Sequence, residues 1–138
     1  MKLSTEQRAS LLGRFGGRCA YCGEVLGKKW QADHVEPVKR EGKWVAGKFV
    51  LSGEMEHPER DHIGNLMPAC VPCNNNKGPL SLAAWRKSLN HLPDVLQKNY
   101  SAWRHAHRFG LVLLGRSEIQ FHFETYIPPA RQRVFLLE

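Results

Sequence analysis

Four cysteines set as two Cys-x-x-Cys pairs, Cys19/Cys22 and Cys70/Cys73, constrain this chain more than any other feature. Two disulfides are one reading of them, but the amino-terminal stretch MKLSTEQRASLLGRF is polar and helix-patterned and lacks the apolar core of an export signal. A chain kept inside the cell meets reducing thiols that disfavour disulfides. Unpaired buried cysteine needs no such spacing. A Cys-x-x-Cys turn brings two thiolates to one ion, and two such turns complete a closed tetrahedral zinc site, so one structural zinc is expected. With no open coordination position it would hold the fold and perform no chemistry. A plain zinc ribbon separates its pairs by about 15–20 residues. Here residues 23–69 intervene, so the insert is where chemistry is expected.

The hydrophobic pattern predicts elements around these pairs. Ser4 or Thr5 can cap a first helix running to about Phe15, ended by Gly16-Gly17. Trp30 to Val35 alternates as a strand that Pro37 stops. Residues 38–60 read as an irregular insert with a short hairpin around Glu41-Gly42 and apolar Trp44, Val45, Phe49 and Val50. Ser81 can cap a helix containing Leu82, Trp85 and Leu89, and Pro93 opens another from about Asp94 to Phe109, closed by Gly110. Leu111–Leu114 and Ile119–Tyr126 read as two strands turning at Gly115-Arg116-Ser117. A chain of 138 residues without repeats or linkers fits one α+β domain, with a core over 18–80 and an extension over 81–138.

Within the insert the order runs Cys-x-x-Cys, Asp33-His34-x-x-Pro37, Asp61-x-x-x-Asn65-Leu66, then Cys-x-x-Cys-Asn74-x-x-Lys77. This order resembles the HNH endonucleases, in particular the four-cysteine zinc type common in phages and prophages. The motif-level match covers about residues 18–77, and Trp85 to Tyr126 is similar, with less specificity, to the C-terminal part of small phage-type HNH proteins. The resemblance implies a ββα-metal (His-Me finger) core with flanking helices and the C-terminal hairpin. It implies hydrolysis of DNA phosphodiester bonds, by nicking or double-strand cutting, to 5′-phosphate and 3′-hydroxyl ends. It gives His34 the role of general base, chemically apt because an imidazole titrates near neutrality. Asp33 takes the family's metal-ligating acidic position, suited to one catalytic Mg²⁺ or Mn²⁺. Asn74 takes the third motif position as an oxygen ligand to the same ion, and Asn65 the middle position that orients the loop carrying His34.

Read singly, these residues allow plainer roles. His34 is one of seven histidines, and Asp61-His62 is a second Asp-His pair. Asn75 and Asn76 sit beside Asn74, Asn65 is an ordinary turn residue, and Lys77 is either a phosphate contact or a solvated lysine.

Charge adds the partner. Twenty basic against thirteen acidic residues give a formal net charge of +7, which favours a polyanion. Residues 51–80 hold two basic and four acidic side chains, as a cation site requires, while the excess lies on the flanks. Arg86, Lys87, Lys98, Arg104 and Arg108 on the C-terminal helices, with Lys77 and the insert's Lys39, Arg40 and Lys43, form the expected DNA-tracking surface. Apolar runs as short as Leu111–Leu114 predict no membrane partner and a cytoplasmic location, in the bacterial host if phage-encoded. The competing function is a zinc-stabilised nucleic-acid-binding module without cleavage, which would not need Asp33, His34 and Asn74 together. An RNA substrate remains open on this reading.

Overall fold

The computed structural model describes residues 1–115 and 118–129. It is a mixed α+β chain with helices α1 (Thr5–Gly13), α2 (Val71–Lys77), α3 (Leu82–Asn90), α4 (Leu92–Asn99), α5 (Ser101–Arg108) and α6 (His122–Thr125). Strands β1 (Gln31–His34), β2 (Arg40–Val45), β3 (Lys48–Met55) and β4 (Leu66–Ala69) form two separate antiparallel pairs, β1 with β4 and β2 with β3. No described helix is long and apolar enough to cross a membrane.

Local chemistry sets most boundaries. Ser4 and Gln7 form a reciprocal capping box at the start of α1. Cys70 caps α2, with Pro72 in its first turn, and Gly78 (φ +50°) ends it. Ser81 caps α3 through the Ala84 amide. The buried core gathers Cys19, Tyr21, Ala69, Cys70, Trp85 and Phe121. Its aromatic centre is tightly arranged. Trp85 stacks on Phe121 at 5.0 Å, and Tyr21 meets Trp85 edge-on at 5.1 Å. Such pairs contribute about 0.5–1.5 kcal/mol each beyond area burial. Trp85 also donates its indole N–H to Asn76 Oδ1 at 2.7 Å, which ties α3 to α2.

Three expectations are corrected. The insert's hairpin turns at Ala46-Gly47 rather than Glu41-Gly42. Both turn residues have positive φ (49° and 77°), as a two-residue turn matched to strand twist requires. The single helix expected over 94–109 is two, broken at Tyr100, whose backbone is extended (φ −123°, ψ 107°). Arg104 reaches back to the Gln97 and Lys98 carbonyls at 3.0 and 3.1 Å and satisfies acceptors that the break frees. The C-terminal hairpin is not formed among the described residues, and Arg116 and Ser117 of its expected turn lie outside them. Residues 122–125 are helical instead, because the Glu124 carboxylate accepts from the Phe121 amide at 2.8 Å and favours a turn. The His122 and Phe123 amides donate to Tyr21 and Ala20 carbonyls, which leaves no ladder for Leu111–Leu114.

Candidate active site and metal centre

The two cysteine turns are built by backbone bonds. The Gly23 amide donates to the Cys19 carbonyl at 2.9 Å, with Gly23 in the left-handed region (φ +79°), and the Ala20 amide reaches the Pro68 carbonyl at 2.8 Å. The first turn is thereby pinned to β4, whose last residue precedes Cys70. All four Sγ atoms lie within 4.8 Å of one another. A tetrahedral ion with Zn–S bonds of about 2.3 Å requires S···S edges of about 3.8 Å. Cys22 and Cys70 Sγ are 3.8 Å apart, and all four thiols are free of disulfides. The proton affinities of the cluster fit the same conclusion. A hydrogen bond from Cys73 pulls Cys19 down to about 4. Burial pushes Cys22 up to about 11, and its bond to Cys19, together with burial, raises Cys73. Four thiols packed this closely repel one another once ionised. A dication would let all four thiols ionise. Donor set, spacing and charge all fit zinc.

Next to this centre, β1, β4 and α2 place the insert's candidates. β1 pairs with β4 in the register Asp33↔Met67 and His34↔Leu66, and α2 lies against β1. Asp33, His34 and Asn74 line one open cavity of about 390 Å³, together with Val38, Lys39, Arg40 and Asn75. A larger apolar hollow of about 650 Å³, beside Trp85 and Phe121, holds none of Asp33, His34, Asn65 or Asn74. The smaller cavity is therefore the candidate site.

Neighbouring strand residues face opposite ways, and the site uses this. His34 turns its Nε2 to Asp61 Oδ1 at 2.8 Å, which leaves Nδ1 as the ring nitrogen that can accept a proton. The Asp61 carboxyl is held below its usual range, first by the Met1 ammonium at 2.5 Å and then by His34. Asp33 faces inward and is 8% exposed. Its Oδ2 accepts from the Tyr21 hydroxyl at 2.5 Å and from Lys77 Nζ at 3.0 Å. Burial, then the charge of Asp33, raises the Tyr21 phenol far above its ordinary value, so it remains a donor. Asn74 donates its amide to Gln31 Oε1 at 2.6 Å, which leaves its carbonyl oxygen as the possible ligand. Asn65 clasps the chain after His34: its side chain bonds both the Glu36 amide (3.0 Å) and carbonyl (2.9 Å), and also the Arg60 carbonyl. Its own carbonyl accepts from Val35 at 2.9 Å.

The basic residues divide. Lys77 does not face solvent: its side chain is fully buried and its ammonium bridges Asp33 and the His34 carbonyl at 2.7 Å. Helical spacing after Cys73 turns it inward, and an unpaired carboxylate there would be costly. Arg86 is engaged by the Glu124 carboxylate and the Ile119 carbonyl and lies over the Phe121 ring. Arg104 bonds helix carbonyls. Lys87, Lys98 and Arg108 are exposed. Sequence reasoning missed Tyr21 and the Asp61–His34 contact. The place of Asp61 four residues before Asn65 was a visible signal, whereas a tyrosine inside a cysteine turn carried none.

Lys77→Met tests the buried pair. Stranding a buried carboxylate costs about 3–5 kcal/mol, so the zinc-loaded variant should lose stability of that order in urea unfolding. A loss below about 1 kcal/mol would mean that water or another group compensates Asp33.

Over 90 residues the chain is 28% identical to the "SPbeta prophage-derived putative HNH endonuclease YoqL" of Bacillus subtilis (strain 168). The match takes in 65% of this chain and 33% of that relative, so the chain corresponds to about a third of the relative's length. No family model matches the chain. No solved structure matches it either.

Proposed function

We propose that this chain is a metal-dependent HNH endonuclease that hydrolyses DNA phosphodiester bonds and leaves 5′-phosphate and 3′-hydroxyl ends. The observation that carries the reading is the convergence of Asp33, His34 and Asn74 on one cavity, with His34 oriented by Asp61. In this reading β1, β4 and α2 are the ββα-metal core, and residues 1–138 work as one nuclease domain. The distant HNH relative supports it.

His34 Nδ1 takes a proton from the attacking water while Asp61 steadies the imidazolium that forms. Asn65 fixes the loop after His34 and so the direction of the ring. The Asp33 oxygen not engaged by Tyr21 and Lys77, with the Asn74 carbonyl, forms a hard two-oxygen donor set, of the kind that holds Mg²⁺ or Mn²⁺ together with water and substrate phosphate. Such an ion would supply Lewis-acid stabilisation of the charge that develops on the phosphate and the departing 3′ oxygen. The exposed Lys87, Lys98 and Arg108 would track the DNA backbone.

A second reading, a zinc-stabilised binding module without cleavage, is favoured by one observation: Lys77 already neutralises Asp33. Incubating the purified protein with supercoiled plasmid and Mg²⁺ or Mn²⁺ separates the two. Open circles or linear product are expected, lost after EDTA and restored by either ion. Plasmid left intact with every cation would favour the module, and restoration by zinc alone would overturn the hard-ion site.

A further inference from the structure

The β2–β3 ribbon stands apart from the rest of the chain, with apolar side chains held in solvent. Trp44 is 73% exposed, and Phe49 and Leu51 about half. Register places Trp44 opposite Phe49 and Gly42 opposite Leu51, so these share one face, while Lys43 and Lys48 lie on the other with Val45 and Val50. The aromatic face is a built feature. Trp44 and Phe49 meet at 5.6 Å, and a Cβ at Gly42 would come within 2.5 Å of the Val50 carbonyl oxygen and 2.8 Å of the Phe49 ring. A bare glycine is what lets Phe49 lie across the strand and brace Trp44.

The ribbon is rooted at the candidate site. Lys39 and Arg40 line the cavity of Asp33 and His34. Val38 is buried, Lys39 turns the chain with a left-handed backbone (φ +47°), and the Glu56 and His57 amides extend the ladder to Lys39 and Val38. The outer part of the ribbon, residues 42–51, carries Lys43 and Lys48 and no acidic residue, while Glu41, Glu54 and Glu56 lie toward its root, so the positive charge sits at the tip beside Trp44 and suits phosphate. Arg40 lines the cavity, and at about 3.3 Å per residue the four residues from Arg40 to Trp44 reach roughly 13 Å beyond it, about four base-pair rises of 3.4 Å. An aromatic face offers bases little hydrogen bonding. It offers stacking.

We propose that this ribbon is a DNA wedge: Trp44, braced by Phe49, stacks on an unstacked base step roughly four base pairs from the cut, while Lys43 and Lys48 contact phosphate. The wedge takes its DNA partner from the nuclease reading but is tested separately from it. Binding of the full chain is measured without divalent ions on a short duplex and on the same duplex carrying two unpaired nucleotides. Tighter binding to the second is expected. Trp44→Ala should weaken that binding roughly tenfold to a hundredfold, and Trp44→Phe should retain most of it. Lys43→Ala and Lys48→Ala should each lower the salt slope of binding by about one, and Trp44→Ala should leave the slope unchanged. Unchanged affinity in Trp44→Ala overturns the wedge. So does a dimer that sediments as a monomer once Trp44 is replaced, which would make the ribbon an interface between copies. Trp44-dependent binding by a protein that cuts no plasmid keeps the wedge and sinks the nuclease. Cleavage with an unaltered KM in Trp44→Ala does the reverse, and absence of any DNA binding overturns both.

Discussion

His34→Ala is expected to slow plasmid cleavage by about 10²–10⁴-fold while DNA affinity stays within a few fold, because a positioned general base contributes that much and little to binding. The substitution leaves Asp33 paired to Tyr21 and Lys77, and Asn74 paired to Gln31. His62→Ala is the matched control. His62 is exposed and does not line the cavity, so that variant should cut within a few fold of the unmodified protein. Asp61→Asn should fall between the two, since the amide can still hold the ring but does not stabilise its cation. Were His62→Ala inactive and His34→Ala active, the motif would be aligned on the wrong histidine. Normal cleavage by both would mean that the chemistry is not of the HNH kind.

Cys70→Ser should give the largest structural effect. Structural zinc contributes an apparent 10–16 kcal/mol in small zinc domains, against a total stability of about 5–15 kcal/mol for an ordinary domain. Loss of one thiolate is therefore enough to tip the balance. Cys70 also caps α2, and its amide bonds Cys19 Sγ, so cap and knuckle contact weaken together. The unmodified protein should carry one zinc per chain by elemental analysis, retained under EDTA treatment mild enough to abolish cleavage. The variant should carry less than half that and lose its near-ultraviolet circular dichroism, which reports the Tyr21–Trp85–Phe121 cluster. A fully folded, zinc-free Cys70→Ser protein would overturn the structural role.

How much was legible depended on whether the information was local. Capping residues Ser4 and Ser81 announce their helices, and the structure starts α1 and α3 where they stand. The motif order brought Asp33, His34 and Asn74 to one cavity because the β1–β4 pairing and α2 lie between the two knuckles. What failed was competition between partners. Glycine at 42 reads as a turn, but it is needed for the room that Phe49 occupies. The Phe121/Phe123 alternation reads as a strand, but the amides there are already claimed by the first cysteine turn. Lys77 reads as a surface cation until its distance from Asp33 is known. None of these choices is visible within a window of a few residues.

The ammonium on Asp33 has a consequence for the order in which the partners assemble. One carboxylate already neutralised by a buried lysine leaves the cavity too weakly negative to concentrate a divalent cation from solution. In the proposed nuclease the missing negative charge would be that of the substrate's own phosphate. Cation and DNA would then be thermodynamically linked, each raising the affinity for the other by the same factor. Calorimetry should find weak Mn²⁺ binding to the protein alone and much tighter binding once an uncleavable DNA duplex is present. A nuclease so arranged would stay idle in a solution rich in magnesium until a strand occupied the cleft, and the nucleic acid itself would complete the electrostatics of its own cutting.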